Sequence, residues 1–331
     1  MADTRVLVTG GAGFIGSHIA DALIAAGYDV LVLDDLSTGR RENVPAQAKF
    51  VHGDIRDSET INRLMSEFQP QVVTHQAAQT SVAVSTREPV RDASINILGS
   101  LEILQACVKH RVGRLVFAST GGAIYGEVPD GQRASIDWTP APLSPYACAK
   151  FALEKYLHAY EKEHGLKASV LRYANVYGPR QDPHGEAGVV AIFARRILAG
   201  EPIQINARRE LGDAGCVRDY VHVADVVRAN LLAIAGQLPV PLLNVCTGEA
   251  TTTLEIAQLL QQAAGDDVQS RKSAIGFAPR RPGDLQRSVL DPEVPGQAQL
   301  QPQLRELLGA PVPLRTGLAQ TLAWFRERER R

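Results

Sequence analysis

The chain has 331 residues, 45% apolar and 21% charged, with a formal net charge of −1. Such a length holds one large domain or two packed ones, with enough apolar residues for a sizeable core. A balance so close to neutral gives no global electrostatic case for nucleic acid or an anionic membrane, so any bound anion must be held by local arginines or helix ends.

The opening MADTRVLVTGG enters a strand within a few residues and leaves no room for an export signal. The longest apolar run falls well short of the roughly 20 residues a membrane span requires. Cys107, Cys148, Cys216 and Cys246 are far apart and form no CxxC, which points to reduced thiols in a cytoplasmic protein. No cysteine or histidine cluster has ligand spacing, so no metal is expected.

RVLVTG, DVLVLDD, AKFVHGD, VVTHQAA and RLVFAST read as strands, being short, valine-rich and bounded by Gly or Asp. SHIADALIAAG, SETINRLMSEF and NILGSLEILQACVKH between them carry apolar residues at helical spacing. This alternation predicts an α/β fold, a doubly wound parallel sheet with helices on both faces. After about residue 177, proline and glycine become frequent and helices such as VVAIFARRILAG and TTTLEIAQLLQQAAG are separated by longer loops. A smaller, substrate-facing mixed α/β part is expected there, ending in the solvated helix terminus FRERERR.

The first turn, GGAGFIG, sets Gly10, Gly13 and Gly16 between a strand and a helix. Glycine there allows a tight turn, close approach of backbone to a pyrophosphate, and packing of helix on strand. The helix N-terminus offers unpaired N–H groups and its positive dipole end to phosphates. Asp34 ends the second strand, where a carboxylate accepts from the adenosine ribose hydroxyls and repels a 2′-phosphate. NAD is therefore expected over NADP, although Arg40 and Arg41 follow closely. Asp54, at the end of the third strand, is a candidate for the adenine amine or for a helix cap.

Tyr146 and Lys150 in SPYACAK are four residues apart and share one helix face. Ahead of them, ASTGGAIYG places the hydroxyls of Ser119 and Thr120 at a strand end, followed directly by Gly121 and Gly122. A free tyrosine, with a pKa near 10, is too weak a base at neutral pH. A lysine ammonium beside it, together with a cationic nicotinamide, favours the phenolate.

In this order, these features resemble the extended short-chain dehydrogenase/reductase family, and within it the NAD-dependent nucleotide-sugar epimerases of the UDP-glucose 4-epimerase type. TGGAGFIGSH, LDDLSTG, GDIRD, HQAA, Asn96 in NILGS, SPYACAK, LRYANVYGPRQ, CVRDYVHVADV and APRRPGDLQRS carry the resemblance over nearly the whole chain. It implies a Rossmann-type cofactor domain over 1–177 plus about 219–247. A domain for the sugar nucleotide is implied over about 178–218 and 248–331. It implies Tyr146 as base, Lys150 as its electrostatic tuner and partner of the nicotinamide ribose, and Thr120 as the bridging hydroxyl. Ser119 is the alternative to Thr120, because the inserted glycine blurs the register.

For NAD the resemblance adds Phe14, Ile15, Asp35, Ser37, Gly39, Ile55, Gln76, Ala77, Ala78, Gln79, Asn96 and Tyr173. For a UDP-sugar it implies Asn175 at the phosphates, Arg218 and Arg281 on the pyrophosphate, Asp284 on the uridine ribose, and Gly188 and Val189 nearby. For Arg218 and Arg281 the competing reading is ion pairing with Asp219 and Asp284. Ser288 stands where epimerases confined to unacetylated sugars tend to have tyrosine, which implies room for a 2-acetamido group as in UDP-GlcNAc. A homodimer is implied through helices at about 96–110 and 146–164, with Leu101, Leu104, Phe151 and Leu157 available.

Gly121 and Gly122 leave no side-chain acid or base beside the sugar, which argues against the sibling dehydratases and decarboxylases. A UDP-glucuronate 4-epimerase needs the same core with a different pocket. A catalytically silent NAD-binding regulator has no need of the tyrosine and lysine.

Overall fold

The computed structural model describes residues 4–183, 188–265, 273–281 and 283–329. In chain order the first half contains β1 (Arg5–Thr9), α1 (Phe14–Ala25), β2 (Asp29–Asp34), β3 (Lys49–His52), α2 (Ser58–Phe68) and β4 (Val72–His75). It continues with α3 (Val82–Arg87), α4 (Pro89–Ala93), α5 (Ser100–Lys109), β5 (Arg114–Thr120), α6 (Gly121–Ile124), α7 (Pro145–His164) and β6 (Lys167–Tyr173). These six strands and the later β11 form one parallel sheet of seven in the order β11-β6-β5-β4-β1-β2-β3, β11 being Leu242–Val245.

Alternation along the strands divides the core between the two faces. Val6, Val8, Val30 and Val32 pack with Ile19 and Leu23 of α1 on one side. Leu7, Leu31 and Leu33 pack with Ile61, Leu64, Ile103 and Leu153 on the other. Leu104 and Leu157, read as available for a dimer interface, are buried in this second core because each faces the sheet. Leu101 and Phe151 are partly buried against the two cores. Among the described residues of the helices from α3 to α7, the large apolar side chains left in solvent are Val82, Val90, Leu98 and Tyr156.

Local signals set the helix ends. Asp57 caps α2 by accepting from the N–H groups of Glu59 and Thr60, and Ser144 caps α7 ahead of Pro145. Between α4 and α5 the helix runs through a wider π-type stretch, Ser94–Gly99, which contains Asn96.

The second half begins with β7 (Asn175–Tyr177), α8 (Val189–Ala199), β8 (Ile203–Asn206), β9 (Val217–Arg218) and β10 (Tyr220–His222). The helix α9 (Val223–Ile234) then packs on α1, and β11 completes the large sheet. Next come β12 (Thr251–Thr252), α10 (Thr253–Ala264), β13 (Ile275–Ala278), β14 (Arg287–Ser288), α11 (Gln301–Leu308) and α12 (Leu314–Glu329). A separate core joins α8, α10 and α12, with Phe193, Ile197, Leu260 and Leu318 inside it.

Strand order reverses between β1 and β4, where Thr9 lies opposite His75. In open parallel sheets ligands bind outside the strand ends at such a switch point. Here the floor is a buried chain of hydrogen bonds. Thr9 Oγ1 lies 2.7 Å from His75 Nδ1, His75 Nε2 lies 2.9 Å from Ser100 Oγ, and Ser100 donates to the Asn96 carbonyl. Because the Ser100 proton is committed to Asn96, His75 donates from Nε2 and accepts at Nδ1.

Burial pulls the His75 ring down to about 3, so it stays neutral in the folded protein across the whole physiological range. A folded value below the unfolded one contributes stability that is complete above the unfolded value of 6.5 and is lost as pH falls through the window between the two. Urea unfolding of the wild type between pH of about 7.5 and about 5 is expected to lose about 2 kcal/mol to this ring. His75→Gln, though less stable at the higher pH, is expected to show a flatter decline.

Candidate active site

A cleft of about 1710 Å³ runs from the glycine turn, over the carboxyl ends of the large sheet, to α8 and to Pro279, Arg281 and Gly283–Leu285. Gly10 has φ of +69°, and a Cβ there would lie 2.6 Å from the Ala77 nitrogen. A Cβ on Gly16 would lie 2.2 Å from the Gly10 carbonyl oxygen, so α1 can start where it does only with glycine at this position. Gly13 is the N-cap of α1 and supplies no side-chain cap, which leaves the N–H groups of the first turn pointing to the cleft beside Phe14 and Ile15.

Asp34 is only 7% exposed, yet lines the cleft. Its Oδ2 accepts from the Ala12 N–H at 2.9 Å and its Oδ1 from the Leu36 N–H at 2.8 Å, while burial pushes the carboxyl up. The carboxylate therefore fixes the glycine turn to the end of β2, and its remaining lone pairs can face a ribose. Asp35 accepts from the N–H and hydroxyl of Ser37. Asp54, beside Ile55, is bonded to Arg56, which holds its carboxyl below the usual carboxylate range.

Two cofactor candidates stand behind the wall rather than on it. Gly39 makes way for Asp34, whose Oδ1 would lie 2.7 Å from a Cβ at position 39. Asn96 clamps the wall residue Gln79, accepting from its N–H and donating to its carbonyl, both at 2.9 Å. Gln76, Ala77, Ala78 and Gln79 themselves line the cleft. The hydroxyl of Tyr173 donates to Gln76 Oε1 and accepts from Asn230.

At the end of β5 the two hydroxyls part company. Ser119 lies opposite Arg172, and Thr120 opposite Tyr173. Successive residues of a strand point to opposite faces, so Ser119 turns inward and donates to Glu154 Oε1 at 2.6 Å. Thr120 turns to the cleft and is hydrogen-bonded to Tyr146. The helix α6 starts at once on Gly121, where a Cβ would meet Leu290 at 2.3 Å, and a Cβ on Gly122 would touch the Asn175 amide at 3.4 Å.

Lys150 is 4% exposed, and its Nζ donates to the Ala118 carbonyl at 3.0 Å above the Phe117 ring. Burial pulls the ammonium down to about 8. Tyr146 departs from expectation: its phenol is pushed up to about 12, not down. Burial outweighs the hydrogen bond from Thr120, and the charge of Asp92 opposes the phenolate. The protein groups alone thus hold Tyr146 as a neutral phenol.

On the far side, Gly188 and Val189 open α8, and Asn175, Arg218, Arg281 and Asp284 line the cleft. Arg218 is not paired with Asp219. Its guanidinium donates to the Leu285 and Val217 carbonyls, whereas Asp219 accepts from Thr247 and Gly248. Arg281 does lie beside Asp284, at 3.7 Å. Ser288 is 1% exposed and is not part of the cleft wall, since β14 pairs it with Arg218 within a small sheet.

The cleft also contains Thr80, Arg180, Arg195, Gln204 and Asn206, which the sequence reading did not single out. For Arg195 a signal existed, because Val189, Ile192 and Arg195 follow one another at a helical spacing of three. Among the described residues no group of three His, Cys, Asp or Glu could hold a metal, and no helix is long and apolar enough to cross a membrane.

The family model of the NAD dependent epimerase/dehydratase family matches residues 6–245. The chain belongs to that family. It is 42% identical to UDP-glucose 4-epimerase of Mycolicibacterium smegmatis, over 98% of this chain and 99% of the relative. The structure of Thermus thermophilus UDP-glucose 4-epimerase in complex with NAD is 52% identical and superposes with a TM-score of 0.89, covering 98% of this chain and 99% of that one. The Thermotoga maritima UDP-glucose 4-epimerase with UDP-glucose is 46% identical, with a TM-score of 0.88, over 98% and 100% of the two chains.

The divergence of the two hydroxyls separates their substitutions. Thr120→Ala is expected to lower kcat about 100-fold, the order attributed to a positioned proton-relay group, with little change in melting temperature. Ser119→Ala is expected to lower melting temperature and leave kcat within about threefold, since it unties a buried acceptor. Steady-state kinetics beside thermal unfolding reads both.

Proposed function

We propose that the protein is an isomerase that interconverts the two carbon-4 epimers of a UDP-hexose, UDP-glucose and UDP-galactose, with NAD as a tightly held cofactor. One observation carries the reading: the Thr120–Tyr146–Lys150 corner lines the same cleft as the glycine turn and as Arg218 and Arg281. The residues fit NAD, because Gly10 and Gly16 permit the tight strand-to-helix turn whose uncapped helix start lines the cleft, and Asp34 lines the same cleft at the end of β2.

Bound NAD supplies a reversible hydrogen acceptor for carbon 4. Tyr146 takes the proton of the sugar 4-hydroxyl by way of Thr120, and the neutral phenol yields its proton only where positive charge is brought beside it. Lys150 orients the nicotinamide ribose and adds its own charge. The 4-keto sugar then turns about its pyrophosphate, and Tyr146 returns the proton to the inverted hydroxyl. Such a turn requires a firm grip on the nucleotide and a loose one on the sugar. Asn175, Arg218 and Arg281 hold the pyrophosphate, and Asp284 the uridine ribose, by charge-assisted bonds. Gly121 and Gly122 offer no side-chain proton donor or acceptor, so elimination is disfavoured.

This reading divides the chain as the sequence does, with 1–177 plus about 219–247 for NAD and about 178–218 with 248–331 for the UDP-sugar. It includes a homodimer, with Val90, Leu98 and Tyr156 as the apolar residues left to cover, and a cytoplasmic place in galactose metabolism, in keeping with four free cysteines.

Incubation of the purified protein with a panel of UDP-sugars, read by proton NMR, is expected to give UDP-galactose from UDP-glucose and the reverse. Tyr146→Phe is expected to lower kcat by about 1000-fold or more while the protein retains its NAD. A 4,6-dehydrated product, or unchanged turnover by the variant, would contradict the proposal.

A further inference from the structure

Helix α4 ends beside a carboxylate that neither the cofactor reading nor the catalytic residues account for. Asp92 is 1% exposed. Its Oδ1 accepts from Gln79 Nε2 at 2.7 Å and from Asn96 Nδ2 at 2.9 Å. Its Oδ2 is buried with no hydrogen-bond partner. A buried carboxylate persists only where charge or hydrogen bonds compensate it, and one oxygen here has no donor.

The compensation comes from α7, which packs directly on α4 and carries Tyr146 and Lys150. The charge of Asp92 favours the Lys150 ammonium, in addition to the Ala118 carbonyl that accepts from it and the Phe117 ring beneath it. The remaining titratable groups facing the pair are Tyr146, on the same helix, and His75 of β4, which burial keeps neutral. Arg87, Glu88 and Arg91 around the start of α4 pair with one another, with side chains 40% or more exposed. Solvent screens them.

We propose that Asp92 is a positioning residue of the reaction: fixed by Gln79 and Asn96, it is the counter-charge that keeps Lys150 an ammonium inside the cofactor pocket. The proposal rests on the epimerase reading. It also gives the Asn96 clamp a second purpose, since the same amide that sets the Gln79 wall aims the carboxylate. Removing the charge lets Lys150 lose its proton at lower pH, and Tyr146 as well, because Asp92 opposes the phenolate. Both limbs of the rate profile then move in the same direction.

The test is the pH dependence of kcat for UDP-glucose in the NAD-loaded wild type, Asp92→Asn and Asp92→Glu, with circular dichroism and bound-NAD content measured on each. In Asp92→Asn the ratio of kcat at pH of about 8.5 to that at about 6.5 is expected to fall about fivefold or more, with KM within about twofold. Asp92→Glu, which keeps the charge, is expected to keep the wild-type limbs. A lower but unshifted profile in folded Asp92→Asn makes Asp92 a merely structural residue and overturns the proposal. So does a profile shifted equally in Asp92→Glu. Should Asp92→Asn not fold, Asp92→Ser takes its place, and limbs of Asp92→Glu displaced to lower pH still overturn it. A folded wild type that does not turn over UDP-glucose at any pH overturns the epimerase reading and this proposal together, a result distinct from an active wild type with unmoved limbs in the variant.

Discussion

The Thr120–Tyr146–Lys150 corner depends on one buried ion pair. Arg172 of β6 donates to both carboxylate oxygens of Glu154 on α7, at 2.9 and 2.5 Å, and Ser119 of β5 donates to the same carboxylate. Burying two charges costs several kcal/mol per ion unless their remaining hydrogen-bonding capacity is filled. Here Arg172 also donates to the Tyr125 hydroxyl, which donates in turn to Asn244 on β11. Helix α7, which presents Tyr146 and Lys150, is thereby joined to three adjacent strands of the sheet. Breaking one partner would leave a charge stranded under the cleft, so the corner is held by a penalty as much as by an attraction.

The cleft above it is built where side chains are missing. The absence of Cβ atoms at Gly10 and Gly16 lets the Gln76–Ala77 backbone and the start of α1 approach the end of β1, and the uncapped N–H groups of that helix start line the cleft. Gly121 has a packing reason beside its chemical one, since Leu290 occupies the space a side chain would take. The burial that excludes water from this corner raises the Tyr146 phenol and lowers the Lys150 ammonium. A low-polarity site disfavours both charged forms, and each must be restored by a neighbouring charge.

Several residues read from motifs have their effect at one remove. Asn96 and Gly39 support wall residues, and Ser288 is hidden in a small sheet beside Arg218. Leu104 and Leu157 are committed to the chain's own core, which leaves the more exposed Val90, Leu98 and Tyr156 on that side. Each discrepancy has the same cause. A motif fixes where a residue falls along the chain, whereas its direction depends on which face of the element the neighbouring elements cover.

The sequence by itself determined the parallel sheet, the glycine turn, the carboxylate ending β2 and the pairing of Tyr146 with Lys150, because periodicity, turn chemistry and i, i+4 spacing are local properties. Only the tertiary structure separated the partners of the two hydroxyls, Thr120 bonding Tyr146 and Ser119 bonding Glu154, since successive residues of β5 point to opposite faces. It alone brought Arg195, Gln204 and Asn206 to the cleft and packed α4, which carries Asp92, against α7, which carries Lys150. Those positions arise from packing between elements distant in sequence, and the charge of a buried group depends on surroundings that no short stretch of chain contains.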